Sequence, residues 1–122
     1  MGKIKFLFNN KSSVYLHDTP VKWAFGKKMR AVSHGCVRLG DPKGLALSLF
    51  GAGDTYDTIA ADMSEDNPNP TTLWLRKKVP VYITYVTCWA DENNTLQFRK
   101  DVYGQDIVLY DHLLKLFHPE IR

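Results

Sequence analysis

The sequence predicts a mainly β domain that carries two or three α-helices. Three observations predict it. Short segments with alternating apolar residues open the chain. A run dense in β-branched and aromatic residues spans 81–89. Three stretches, near 42–50, 54–63 and 106–117, have their apolar residues at helical spacing. A chain of 122 residues has room for one small domain.

The first strand is expected over 3–8, where Ile4, Phe6 and Phe8 fall on one face and Lys3 and Lys5 on the other. Asn9-Asn10-Lys11 is turn chemistry, because Asn tolerates left-handed backbone angles. A second strand follows over 14–17, with Val14 and Leu16 on one face and Tyr15 and His17 on the other. From 18 to 33 no period is sustained. Pro20 and Gly26 punctuate the segment, which reads as a loop carrying Trp23 and Phe25. Asp41-Pro42 then looks like a helix start, with Asp as cap and Pro at the first helical position, and Gly51 as the stop. That helix is apolar nearly all round (Leu45, Ala46, Leu47, Leu49, Phe50), which predicts burial.

A second helix should begin at Asp54 or Thr55, because Tyr56, Ile59, Ala60 and Met63 stand at i, i+3, i+4 and i+7. A polar loop is expected over 64–70. The strongest strand signal follows at 81–89, then a turn at Asp91-Glu92-Asn93-Asn94 and a returning strand over 95–98. Leu109, Leu113 and Leu116 keep helical spacing near the end. There is no internal repeat and no low-complexity tract.

Composition removes several function classes. Hydrophobic residues make up 44% of the chain, which argues against disorder. No stretch approaches the roughly 20 apolar residues of a spanning helix. The net charge, 16 − 13 = +3, is small and dispersed. The clusters Lys27-Lys28 with Arg30 and Arg76-Lys77-Lys78 read as solvated charges, so nucleic acid is not an expected partner. Cys36 and Cys88 are too few for a disulfide scaffold and do not fix the redox compartment. Met1-Gly2 leads into strand-like sequence with no signal-peptide pattern.

The segment that carries chemistry is Ser33-His34-Gly35-Cys36, with His17 upstream. Cysteine attacks as its thiolate, and an ordinary thiol is only a few per cent ionised at neutral pH. An imidazole within reach can take the proton. Gly35 leaves room for a tight turn and for amide N–H groups aimed at a developing oxyanion. From these residues alone, other readings stay open. Cys36 could be an inert packing thiol. His17, His34 and Cys36 could hold a metal if Cys88 were recruited as a fourth ligand.

Tyr15-Leu16-His17-Asp18-Thr19-Pro20, then Arg30, then Ser33-His34-Gly35-Cys36-Val37-Arg38-Leu39 resembles the active-site signature of the L,D-transpeptidase (YkuD) family. The His-Asp-Thr-Pro form is similar to its Gram-negative-type branch. So are Val79-Pro80-Val81-Tyr82, Tyr85-Val86-Thr87 and the run from Phe98 to Asp106. The resemblance implies a YkuD-type β-sandwich. It implies Cys36 as nucleophile, His17 as general base and Asp18 as the residue whose carbonyl orients the imidazole. It implies an oxyanion hole from amides around His34, Gly35 and Cys36. Arg38 would hold a substrate carboxylate or brace a loop, Ser33 would brace the turn at the substrate, and Trp23 would wall the acyl-donor cleft or fill the core.

The implied reaction is acyl transfer between peptidoglycan stem peptides, giving 3→3 cross-links through a thioester, with no metal or organic cofactor. An L,D-carboxypeptidase and a non-catalytic wall-binding remnant are the alternatives. The location implied is the periplasm or cell envelope. In the family, several strands precede the histidine. Residues 1–122 are therefore expected to be the C-terminal portion of such a catalytic domain, its sandwich partial, with open sheet edges favouring self-association. Cys88, on the strand beside Val86, reads as a core thiol. His112 and His118 are assigned no role.

Overall fold

A computed structural model describes residues 2–65, 69–118 and 120. The chain divides into two compact units, Met1–Val81 and Tyr82–Arg122.

The first unit holds β1 (Lys5–Phe6), β2 (Leu16–Asp18), a 3₁₀ helix (Lys22–Gly26), β3 (Val37–Leu39), α1 (Pro42–Phe50) and α2 (Asp54–Ser64). Its sheet has the order β1-β2-β3. β1 pairs antiparallel to β2 with Lys5 opposite His17. The loop between them is shaped by one side chain. Asn10 Oδ1 accepts from the Ser12 and Val14 amides at 3.1 and 2.9 Å, and its Nδ2 donates to the Phe8 and Val14 carbonyls at 2.9 and 2.7 Å. A short polar side chain thus supplies the hydrogen bonds that the turning backbone cannot make to itself.

β3 returns parallel to β2, with Leu16 opposite Val37, His17 opposite Arg38 and Asp18 opposite Leu39. Parallel strands need a crossover. The segment between 18 and 37, with its 3₁₀ helix, provides it. Trp23 and Phe25 stand on that 3₁₀ helix rather than in an irregular loop. α1 begins as its sequence predicts: Asp41 Oδ1 accepts from the Gly44 amide at 2.8 Å and Pro42 opens the helix. It ends at Gly51, whose φ of +75° favours a residue without a Cβ. α1 packs on α2, and Pro42, Ala46 and Ile59 are the buried apolar side chains of that pair. The remaining apolar faces of α1 are more open than its composition suggests, with Leu47 at 39% exposure.

The second unit holds β4 (Cys88–Ala90), β5 (Leu96–Phe98) and α3 (Gln105–Phe117). β4 and β5 form an antiparallel hairpin. Asp101 caps α3, its carboxylate accepting from the Gln105 and Asp106 amides at 3.0 and 2.9 Å and from the Tyr85 hydroxyl at 2.5 Å. Gly104, at φ +67°, makes the left-handed step into the helix.

Among the described residues the architecture is therefore mixed α/β, with three α-helices and two small sheets, rather than mainly β. The expected strands are shorter in the structure. The first contracts from 3–8 to Lys5–Phe6, and the second shifts from 14–17 to Leu16–Asp18. The run over 81–89 pairs only from Cys88 on. Branched side chains suit a pleated surface, but a strand also needs a neighbour, and no strand among the described residues lies alongside 81–86. The polar loop expected over 64–70 falls partly on 66–68, outside the described residues. Cys88, expected in the core, is exposed on β4.

Candidate active site

The parallel pair β2–β3 positions the two chemically important residues. Opposed residues of a ladder share a face, and alternate residues return to it. His17 stands opposite Arg38, so Tyr15, His17 and Arg38 share one face. The Tyr15 and His17 rings meet edge-on with centroids 5.7 Å apart. Cys36 immediately precedes β3, where the Val37 amide donates to the Tyr15 carbonyl at 3.1 Å. Alternation from Val37 puts position 36 on the face of His17 and Arg38. Ideal strand spacing and rise correspond to one diagonal step of about 8 Å between Cα 17 and Cα 36. Both residues are half-buried.

The hydrogen bonds of the two residues go to their own neighbourhoods. His17 Nδ1 lies 2.7 Å from the Asp18 carbonyl oxygen. A carbonyl can only accept, so Nδ1 carries a proton, and in the neutral ring that leaves the lone pair on Nε2. The carbonyl of Cys36 accepts from Ser33 Oγ at 2.6 Å, and Ser33 Oγ accepts a longer bond, 3.4 Å, from the Gly35 amide. Ser33 is thus engaged inside the turn. The Gly35 amide is directed at Ser33 within the same turn. His34 and Gly35 are exposed, and Arg38 is half-buried.

Trp23 is 65% exposed, which removes the core-filling reading, and Lys27 Nζ stands 5.8 Å from its ring centroid. Among the described residues, no group of three or more His, Cys, Asp or Glu side chains is placed to hold a metal ion. Beside the sheet, the β1–β2 loop bounds an open hollow of about 490 Å³, lined in part by Leu7, Phe8, Val14 and Tyr15.

Asp18 is the most connected residue of the site. Its amide donates to the Ile4 carbonyl at 2.8 Å, and its carbonyl accepts from the Gly2 amide at 3.2 Å as well as from His17. Its carboxylate accepts from the Lys3 amide at 3.0 Å and from Lys22 Nζ at 2.9 Å. Burial by itself would raise this carboxyl. The Lys22 ammonium and the Lys3 and Thr19 amides outweigh it and hold the group below the usual carboxylate value.

Two neighbours of His17 carry no role in the sequence reading. Tyr15 was legible as a face-mate of His17, since both alternate with Val14 and Leu16. Lys22 was not legible. It stands four residues after Asp18, but outside an α-helix that spacing promises no contact.

The family model of the L,D-transpeptidase catalytic domain (YkuD) matches residues 1–50. A Haemophilus influenzae protein with the curated name "Putative L,D-transpeptidase" is 33% identical to this chain over 106 residues, which are 87% of this chain and 21% of that protein. The chain thus spans about a fifth of the length of the curated relative it matches. The likeness runs along most of the chain, and the family match falls on the strands that carry His17 and Cys36. The segment holding this site belongs to the L,D-transpeptidase catalytic domain (YkuD) family.

Proposed function

We propose that the chain carries the cysteine acyl-transfer site of a peptidoglycan L,D-transpeptidase. One observation carries this reading. His17 lies on β2 and Cys36 immediately precedes the parallel strand β3, strand alternation puts both on one face, and the His17 ring is held through Nδ1 to the Asp18 carbonyl. That leaves Nε2 as the proton acceptor a thiol needs.

In this mechanism Nε2 takes the Cys36 proton, and the thiolate attacks the carbonyl carbon of the third residue of a tetrapeptide stem. The amides of His34 and Cys36 bind the oxyanion. The bond to the terminal D-Ala breaks, and the imidazolium protonates the departing amine. A thioester on Cys36 remains. The amine of a neighbouring stem attacks it, gives its proton to His17 and restores the thiol, leaving a 3→3 cross-link. Arg38, on the same face, suits a bidentate hold on the stem carboxylate, and exposed Trp23 suits a wall of the donor cleft. The three-stranded sheet would be one part of a YkuD-type sandwich. The substrate implies the periplasm or the cell envelope as the location.

The test is incubation of the chain with a tetrapeptide stem, followed by intact mass and product analysis. Release of D-Ala with a thioester on Cys36, absent in Cys36→Ala, supports the reading. Cross-linked dimers identify an amine acceptor, whereas free tripeptide identifies water and an L,D-carboxypeptidase. Stem binding without release of D-Ala would identify a non-catalytic wall-binding protein and overturn the acyl-transfer reading.

A further inference from the structure

We infer that Lys22 is a positioning residue for the His17–Cys36 pair, acting as a clamp that ties the end of β2 to the end of β3. The inference rests on the acyl-transfer reading and adds to it a residue outside the signature motif.

The geometry is specific. A lysine ammonium has three donors. Lys22 Nζ has three acceptors within reach: Asp18 Oδ1 at 2.9 Å, the Leu39 carbonyl at 3.2 Å and the Gly40 carbonyl at 3.1 Å. Asp18 closes β2, Leu39 closes β3, and the two are opposite each other in the parallel register. Lys22 therefore spans the same pair of strands that presents His17 and Cys36. Its side chain is 48% exposed, whereas that of Asp18 is 13% exposed, so the anionic end of the clamp is the desolvated one.

The clamp acts on the base through Asp18. The Asp18 carboxylate is held from two sides, by Lys22 and by the Lys3 amide, and its own amide is held by Ile4. With the side chain and the amide both fixed, rotation of the residue is restricted. The carbonyl that receives His17 Nδ1–H then points in one direction. Loss of Lys22 frees one side of this arrangement. The imidazole loses its preference for the Nδ1–H tautomer, and β3 loses a tether at the end opposite Cys36. Small displacements of a base from its thiol are costly, because proton transfer requires near hydrogen-bond distance.

The experiment uses the chain itself and needs no wall substrate. Iodoacetamide alkylation of Cys36 at pH 7 is followed by peptide mass mapping, with Cys88 as internal reference. The His17 tautomer is read from long-range ¹H–¹⁵N correlation spectra. Lys22→Met is expected to slow Cys36 alkylation about ten-fold relative to Cys88, and to convert His17 from one Nδ1–H tautomer to a mixture. In a His17→Gln background, Lys22→Met should add nothing, because the clamp works through the base. If Lys22→Met does not fold, Asp18→Asn, which removes the same ion pair and keeps the carbonyl, takes its place with the same expected results.

A normal alkylation rate and tautomer in Lys22→Met, beside a slowed His17→Gln, overturn the clamp and leave the acyl-transfer reading intact. An additive loss in the double variant overturns it as well, since Lys22 would then act by another route. If His17→Gln itself leaves Cys36 unaffected, the base assignment fails and the clamp fails with it.

Discussion

Cys36 and Cys88 give a paired test at the scale of single residues. Cys36 is half-buried in the turn before β3, whereas Cys88 is exposed on β4. Neither fills a core, so replacing either by Ala should move unfolding free energy by no more than about 0.5 kcal/mol. Their effects on function should differ completely. Cys36→Ala is expected to abolish thioester formation on the stem peptide, while Cys88→Ala retains it. Intact mass of the acylated protein, beside a urea melt, measures both quantities. Equal losses of acylation at unchanged stability would refute the assignment of the nucleophile. His17→Gln completes the set. It should slow Cys36 alkylation near pH 7 and match the parent protein above about pH 9, where an unassisted thiol is ionised without a base. A rate ratio independent of pH would remove His17 as the base.

Among the elements, the β1–β2 loop shows how a local rule reaches the site. Asn10 makes four hydrogen bonds to the backbone between Phe8 and Val14, and β2 with His17 starts two residues later. Asn10→Ala should cost about 1–2 kcal/mol, since these bonds are solvent-exposed and each is worth only a fraction of its gross energy. It should also slow Cys36 alkylation, because the β1–β2 register loses its hinge. Asp41→Ala should cost a similar amount, about 1 kcal/mol, through the cap of α1, without changing the alkylation rate. Urea melts and alkylation rates on the two variants separate these effects.

The elements that sequence made legible are those whose signals are local. Asp41-Pro42 and Gly51 bound α1, and the i, i+3, i+4, i+7 stripe of Tyr56 to Met63 lies inside α2. Strand extents were not legible at 81–86, because pairing depends on a neighbour the local sequence does not name. The site divides in the same way. The motif at 33–38 and the alternation at 14–17 brought His17 and Cys36 into view. The parallel register that joins them, and the reach of Lys22 to Asp18, depend on contacts between distant segments.

For the molecule as a whole, a small buried core is joined by polar contacts that carry a pH dependence. Among the described residues, Ala24, Pro42, Ala46 and Ile59 are the buried apolar side chains, and Trp74, Tyr82 and Phe98 are among the large ones left exposed. Open apolar surface of this kind should drive concentration-dependent association, measurable by sedimentation velocity. The polar contacts set a pH dependence. Among the described residues, four carboxyls lie below the usual value of 3.8 in the fold: Asp18 through Lys22 and nearby amides against the effect of burial, Asp91 through the Thr95 amide and the Gln97 side chain, Asp101 through the Tyr85 hydroxyl, and Asp111 through Lys115. A carboxyl with a folded pKa below its unfolded one contributes stability that is complete above the unfolded value and disappears as pH falls through the folded value. The urea midpoint should therefore drop as pH is lowered from 4 towards 2. The contributions are unequal. Asp111 and Lys115 are 57% and 62% exposed and paired along one helix, so solvent and salt screen them. The Asp18 side chain is 13% exposed and bonded from two sides, so its share should persist at high salt. Urea melts at pH 5, 4, 3 and 2.5, in low and in 0.5 M salt, test this on the parent chain and on Asp18→Asn. The parent should lose midpoint below pH 4 at both salt concentrations, and Asp18→Asn should show a shallower loss. Identical slopes for the two proteins would mean that the Asp18–Lys22 pair does not hold β2 to β3, and the geometry around His17 would have to be maintained by Gly2, Lys3 and Ile4 alone.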